Sequence, residues 1–252
     1  MKTVIEYYSL ENWWYTMEHL FTLKRWASLF ESRNDFISGL WVTLQVAILG
    51  LILALLLGTI FGMFSSAKNT FLRAIARVYV EFFQNTPLLI QVFFYYNGLP
   101  YLGIVLNTFT IGIISIGLYH GAYISEVIRT GILSIPKGQS EAASSQGFNY
   151  IQMMIYIILP QTLKVILPPL ANQALNLVRN TSVMAIIVGG DLMYHADSWA
   201  TLYDYHIQGY LTAGILFFIL CYPLSKLVAY LELRSKYAPA PLRDNKSAKE
   251  VA

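Results

Sequence analysis

Charged side chains are scarce in this chain of 252 residues, of which 12% are Asp, Glu, Lys or Arg and 56% are hydrophobic. A soluble globular domain carries about a quarter charged residues, so the composition indicates a membrane protein. The net charge of +3 is small, and the basic residues are clustered instead of forming a stripe. This distribution argues against nucleic-acid binding.

Cysteine is nearly missing: Cys221 is the one cysteine of the sequence, so no disulfide can form within the chain. It lies in an apolar run, and we expect it to pack as a small core side chain. The N-terminal residues lack a short apolar stretch followed by a small-residue cleavage site. No removable signal peptide is therefore predicted, and insertion should rely on the first spanning helix.

Sequence patterns for catalysis are also lacking. There is no GxxxxGK[ST] phosphate-binding loop, and nothing resembles a catalytic triad. The four histidines are scattered along the chain and form no set with metal-ligand spacing: His19, His120, His195 and His206. The chain is thus predicted not to be an enzyme on its own, with no metal site and no cofactor of its own.

Long uncharged runs are what the sequence has instead. Residues 36–64 and 82–125 contain no charged side chain. One helix needs about 20 residues to span the hydrocarbon core, so the second run is predicted to hold two helices joined by a turn at 97–100. We predict an all-α integral membrane protein with five transmembrane helices, at about 36–64, 71–96, 107–130, 150–178 and 207–231.

The other segments flank or interrupt this transmembrane domain, which spans 36–232. Residues 1–35 are rich in Trp, Tyr and Phe, and predict one or two interfacial amphipathic helices; a small soluble cap is the alternative. Residues 183–205 predict an outer loop with a short helix, and 233–252 a mobile cytoplasmic tail. The fourth helix is expected to be broken at its prolines: Pro160, Pro168 and Pro169.

A short polar segment at 136–147 separates the third and fourth predicted helices. Pro136 favours a helix start and Gly147 a helix end. Glu141-Ala142-Ala143 is followed by Gly147 and then by Ile157 and Leu159-Pro160. This spacing resembles, without departure, the signature of the permease subunits of bacterial ABC importers. In that family the segment is the coupling helix, which docks into a groove of the ATP-hydrolysing subunit. The resemblance implies this role for four residues: Glu141, Ala142, Ala143 and Gly147.

Three further segments, residues 80–91, 121–139 and 158–170, are similar to the histidine/glutamine/arginine group of polar amino-acid permeases, which have the type I importer fold. The resemblance covers about residues 36–235. It implies a subunit of an ATP-driven amino-acid importer in the bacterial cytoplasmic membrane. Implied partners are an ATPase dimer that binds ATP and Mg²⁺, a second permease copy or paralogue, and an extracytoplasmic binding protein.

The alternative is a stand-alone channel or secondary transporter for a small polar solute, although such proteins usually show ionisable relays or an internal repeat. The resemblance does not specify the amino acid or the composition of the permease pair. It also leaves open the form of the binding protein and the role of residues 1–35.

The distribution of basic residues predicts the orientation. The loops around 68–77 and 129–137 and the segment 226–249 hold eleven Lys and Arg, whereas the opposite loops hold only Arg179. The positive-inside rule therefore places segment 136–147 and the C-terminus in the cytoplasm and the N-terminus outside. Four basic residues of the N-terminal segment count against this orientation: Lys2, Lys24, Arg25 and Arg33.

Two carboxylates lie near the cytoplasmic ends of the second and third predicted helices. Glu81 follows Arg77 by four residues and Glu126 precedes Arg129 by three, which places each pair on one helix face. We predict structural ion pairs near an inner gate, because unpaired carboxylates at such depth are costly. Direct handling of solute or protons is the alternative.

Other polar residues predict a substrate path. Pro87 interrupts the second helix, and a discontinuous helix can expose backbone groups to a solute. Thr86 and Gln91 beside it are binding candidates, with helix–helix hydrogen bonding as the alternative. His120 could line the same path or pack internally.

Asn180 and Ser182, which follow the fourth helix, complete the set of path candidates. Members of the family that transport basic amino acids often carry an acidic residue where Asn180 stands. A neutral amide there favours glutamine, glutamate, asparagine or aspartate as the solute.

Overall fold

The computed structural model of the chain describes residues 22–67 and 69–236. All regular structure within these ranges is helical, which confirms the predicted all-α class. The α-helices are α1 Leu23–Glu31, α2 Arg33–Ser66, α3 Thr70–Asn85, α4 Leu88–Phe93, α5 Thr108–Leu133, α6 Lys137–Ser145, α7 Tyr150–Met153, α8 Leu159–Asn180, α9 Leu192–Tyr203 and α10 His206–Lys236. Two π-helical turns, Phe94–Gly98 and Met154–Ile158, and two 3₁₀ segments, Leu99–Leu102 and Thr181–Ile187, complete them.

Four helical segments in the described ranges are long and apolar enough to cross a membrane: Arg33–Ser66, Thr108–Leu133, Tyr150–Ile187 and His206–Leu233. The second of the five predicted spans, 71–96, is not among these four, because it is divided into α3 and α4. α3 ends at Asn85 because Thr86 is extended (φ −108°, ψ 127°) and Pro87 has no amide hydrogen to donate. The interruption expected at this proline is present.

Two details differ from the sequence-based expectations. α8 continues through Pro168 and Pro169, and the irregular turn of this helix is instead the π segment just before Pro160. The turn expected at 97–100 closes later, at Gly103, whose φ is +78°. The short helix expected within 183–205 is present as α9, and it buries an apolar face. The predicted N-terminal interfacial helices lie largely outside the described residues, as does the tail beyond 236.

The helices form two compact units, each made from three stretches of chain. Within the described residues, the first comprises 22–50, 88–116 and 178–221, and the second 51–87 (without residue 68), 117–177 and 222–236. The core of the first unit gathers around α9, where Trp199 packs edge-on against Phe36 with ring centroids 6.0 Å apart. The Trp199 indole N–H donates to Ser32 Oγ at 3.0 Å, so this large side chain is buried with its polar atom satisfied.

A close approach holds α2 against the start of α9 in the first unit. A Cβ added to Gly39 would lie 2.9 Å from the Cα of Leu192, which is backbone and cannot move aside. One turn later, Thr43 Oγ1 accepts a hydrogen bond from the Leu192 N–H at 3.0 Å. Gly39 therefore lets the backbone of α2 pack directly on α9, and Thr43 adds a hydrogen bond, as small and hydroxyl residues do in other membrane bundles.

Asp191 begins α9 and is fully buried. One carboxylate oxygen accepts the Met193 N–H at 3.0 Å, while the other, Oδ1, has no hydrogen-bond partner in the described part of the chain. Burial disfavours the charged carboxylate and raises the pKa of Asp191 to about 6, against the lowering effect of the backbone N–H groups. Asp191 thus caps α9, but burying its carboxylate costs desolvation free energy.

The buried Asp191 predicts a pH-dependent stability. Its folded-state pKa lies above the ordinary 3.8, so the folded state holds the proton more tightly, and stability falls as pH rises from about 4 to 6. Asp191→Asn keeps the helix cap and removes this loss, which is on the order of 2–3 kcal/mol. In thermal unfolding in detergent, the unfolding temperature of the variant should rise relative to that of the wild type as pH increases across this range. The same difference in unfolding temperature at pH 4 and at pH 7 would contradict the assignment.

Candidate functional site

The predicted coupling segment forms a discrete helix with defined ends. α6 begins after Pro136, which is extended and has no amide hydrogen to satisfy. It ends because Gly147 adopts a left-handed conformation (φ +85°) that other residues rarely reach. The Phe148 N–H then donates back to the Ala143 carbonyl at 3.1 Å, which closes the last turn.

The two sides of α6 are chemically different. Ala143 is only 5% exposed, because α6 packs against the chain at 150–158. Glu141 and Ser145 project from the opposite side into solvent, and a Cβ added to Gly138 would meet nothing within 4 Å. Three of the four predicted coupling residues, Glu141, Ala142 and Gly147, are exposed, whereas Ala143 positions the helix from inside.

Contacts with the following helix fix α6 further. Gln161 on α8 donates through Nε2 to Gln139 Oε1 at 3.2 Å and to the Ile157 carbonyl at 2.9 Å. Asn149 and Gln152 form a capping box at the start of α7, each side chain accepting the backbone N–H of the other. The bond between Gln139 and Gln161 and the packing of α6 on residues 150–158 thus connect α6 to α7 and α8.

The predicted ion pairs are both present and line one cleft in the second unit. Arg77 Nε donates to Glu81 Oε1 at 2.8 Å, and Arg129 Nε donates to Glu126 Oε2 at 2.8 Å. A second N–H group of Arg129 contacts Glu126 Oε1, so this pair is bidentate. We call this space of about 620 Å³ the arginine cleft; its lining residues are Ser65, Thr70, Arg73, Ala74, Arg77, Val80, Glu81, Glu126 and Arg129.

Two hydrogen bonds that the sequence analysis missed position α3 beside α5. The Tyr79 hydroxyl donates to the Leu118 carbonyl at 2.8 Å, and Gln84 Nε2 donates to the Ala122 carbonyl at 3.2 Å. Gly121 permits the first approach, since an added Cβ would lie 2.6 Å from the tyrosine oxygen. The polar residues of α3 and the glycine of α5 are visible in the sequence, so a contact between these two helices could have been suggested from it.

Three of the five path candidates are hydrogen-bonded or buried within their own units. Thr86 Oγ1 donates to the Phe82 carbonyl at 2.7 Å. Gln91 is 4% exposed and His120 is 2% exposed, and His120 Nδ1 lies 3.4 Å from Gln173 Oε1. The contact with Gln173 favours the packing alternative for His120.

The remaining path candidates lie at the end of α8, beside a second cleft. Ser182 lines this space of about 510 Å³, which we call the Arg179 cleft; Asn180 is half-buried and does not line it. The other lining residues are Arg179, Met193, Tyr210, Ala213, Gly214, Phe217, Phe218 and Cys221.

Arg179 is the residue of this cleft that the sequence analysis used only for orientation. Its side chain is exposed, and no acidic residue within the described ranges forms an ion pair with it. Arg179 lies near the end of the apolar helical segment Tyr150–Ile187, and an unpaired guanidinium so close to hydrocarbon is costly and marks a candidate functional site. The cleft also has the size of a small-molecule site, about 300–1,000 Å³.

Comparison with known proteins identifies the family. Residues 50–237 match the family of binding-protein-dependent transport system inner membrane components. The chain belongs to this family. The match covers the residues from the second half of α2 to the end of α10 and so includes α6 and the arginine cleft.

Relatives of this permease include amino-acid permeases. It is 40% identical over 208 residues to the probable glutamine ABC transporter permease GlnM of Bacillus subtilis, with 82% of this chain and 95% of the relative covered. It is 34% identical over 197 residues to the L-cystine permease TcyB of the same organism, covering 78% and 84%.

A solved structure confirms the type I permease fold. The permease superposes on a chain of an amino acid ABC transporter crystallised with histidines with a TM-score of 0.77. The two chains are 31% identical, and the superposition covers 82% of this chain and 97% of the other.

The left-handed turn after α6 generates a prediction. Gly147→Ala adds a Cβ that meets no neighbour, so its effect reports only the strained φ of +85°, which costs about 1–2 kcal/mol for a residue with a side chain. Hydrogen exchange of the α6 amides should therefore accelerate about tenfold, by the same principle. Gly138→Ala is the matched control, because it lies within α6 with open space and no positive φ. Equal exchange rates in the two variants would show that the turn is not strained.

Proposed function

We propose that this permease is the transmembrane subunit of an ATP-driven importer of a polar amino acid. The observation that carries the proposal is α6, a small-residue helix tied to α7 and α8 on one side and exposed on the other. Its fixed ends and its exposed Glu141 suit a rigid docking helix that a partner protein can bind. Membership of the family supports the same role.

Energy enters through partner chains in this proposal. A dimer of ATP-binding subunits binds ATP and Mg²⁺ and closes on ATP binding, while this chain binds no nucleotide. The closing motion reaches α6 and is passed into α8 as rigid-body movement, which alternates access to the path. A second permease copy or paralogue and an extracytoplasmic binding protein complete the importer. α6 and the C-terminus face the cytoplasm, and the N-terminus faces outside.

The Arg179 cleft supports an amino-acid solute. A guanidinium suits the planar α-carboxylate, and the aromatic walls from Tyr210, Phe217 and Phe218 suit an aliphatic stem. The neutral Asn180 next to Arg179 offers no charge for a cationic side chain. Glutamine, glutamate, asparagine or aspartate is the solute that this chemistry favours, and the glutamine relatives agree with it.

The coupling role is tested by blocking the exposed side of α6. Ser145→Trp places a large ring opposite the buried Ala143 and should prevent docking, so co-purification of the ATPase and solute uptake should both fall at least about tenfold. Ser198→Trp on α9 is an exposed control in the first unit, and it should retain the ATPase. Uptake by the purified permease alone, without the ATPase, would instead support a stand-alone transporter and overturn the proposal.

The solute class is tested by competition for uptake in the assembled importer. Glutamine or glutamate should displace labelled glutamine, and arginine should not, because the cleft already carries a positive charge. Arginine winning this competition would overturn the assignment.

Arg179 provides the matched substitutions for this test. Arg179→Gln should lower the uptake rate at saturating loaded binding protein about tenfold, from the loss of one charge-assisted hydrogen-bonded contact. Arg179→Lys keeps the charge and should recover part of the rate. Equal uptake rates in the two variants would contradict the proposal that Arg179 binds the α-carboxylate in this cleft.

A further inference from the structure

The arginine cleft contains more positive than negative charge. Three arginines and two glutamates line it, which gives a net charge of +1. Arg77 and Arg129 are paired with Glu81 and Glu126. Arg73 is the remaining cation: its Nη2 donates to Thr70 Oγ1 at 3.1 Å, and no acidic residue in the described ranges forms an ion pair with it.

The donors of the cleft are side chains and not backbone. Asn69 caps α3 by accepting the N–H groups of Phe71 and Leu72, so the helix start is already satisfied. The guanidinium of Arg73 and the hydroxyls of Ser65 and Thr70 remain to meet a ligand. This set of donors matches the oxygens of a phosphate group, which Arg binds through its planar fork.

An apolar face adjoins the cleft on the same helix. Phe71 is 70% exposed, Ile75 41% and Val78 70%, and their spacing of four and three residues places them on one side of α3. At the cytoplasmic end of a membrane helix, a basic face beside an apolar face meets phosphate headgroups and acyl chains together. The cleft can therefore contact the headgroup of a lipid, and the apolar face can contact its acyl chains.

We propose that the arginine cleft binds the phosphate headgroup of an anionic phospholipid of the cytoplasmic leaflet, with Arg73 as the principal ligand. One phosphodiester carries a single negative charge, which balances the net charge of the cleft. Basic pockets between spanning helices on the cytoplasmic side bind such headgroups. The acyl chains lie along Phe71, Ile75 and Val78, which distinguishes a lipid from free phosphate. The inference uses the proposed orientation but no assumption about the solute or the ATPase.

The experiment measures lipid retention by the full-length permease, purified in detergent and mixed with phosphatidylglycerol or phosphatidylcholine before native mass spectrometry. The wild type should retain phosphatidylglycerol in preference. Arg73→Gln should reduce that retention about fivefold, the value of one basic residue near a membrane surface. Arg73→Lys should restore most of it, because the charge is kept.

Lys164→Gln is the matched control, since Lys164 is an exposed cation of the same unit that does not line the cleft. Thermal unfolding of each variant verifies that it is folded. Equal retention of the two lipids, or an equal loss in Arg73→Gln and Lys164→Gln, would overturn the site. Displacement of phosphatidylglycerol by millimolar inorganic phosphate would show that the cleft takes free phosphate and would overturn the lipid assignment. A failure of either kind leaves the proposed transport function untouched, because no transport or ATPase readout is involved.

Discussion

Backbone polar groups in hydrocarbon must find partners within the protein, and the organisation of this permease follows from that constraint. Where Pro87 stops α3, side chains replace the missing helix bonds: Asn85 donates to the Glu81 carbonyl at 2.7 Å and Thr86 donates to the Phe82 carbonyl at 2.7 Å. Of these two residues, Thr86 was a solute-binding candidate in the sequence. Its hydroxyl instead bonds a backbone carbonyl beside the interruption, so it is engaged in stabilising the end of α3.

Sequence reasoning succeeded where the physics is local. The spacing of Arg77 and Glu81 placed both on one face of a helix, and the structure contains that pair. The limits of α6 followed from Pro136 and Gly147, whose conformational preferences act without help from neighbours. Such features depend on residues three to five positions apart, so a single sequence carries them.

Prediction failed where tertiary contacts decide. The burial of Ala143, the direct packing of α2 on Leu192 and the hydrogen bond from Gln84 to the Ala122 carbonyl all depend on which helices become neighbours. The short helix within 183–205 was expected, but the burial of its apolar face was not, because that burial depends on the helices that pack against α9. The prolines at 168 and 169 predicted a break, yet their fixed φ suits a helix, and α8 continues through them.

The charged residues separate into two kinds according to their partners. Arg77 and Arg129 are neutralised by carboxylates on their own helices, so these pairs can remain unchanged whatever occupies the arginine cleft. Arg179 and Arg73 have no such carboxylate in the described ranges, and each faces a cleft that a small anion can enter. Since an unpaired cation in or beside hydrocarbon is costly, a chain that keeps two of them benefits from anions that arrive from outside. The proposed solute and the proposed lipid would each supply such an anion. They differ in lifetime, because the solute must leave on each transport cycle whereas the lipid can stay.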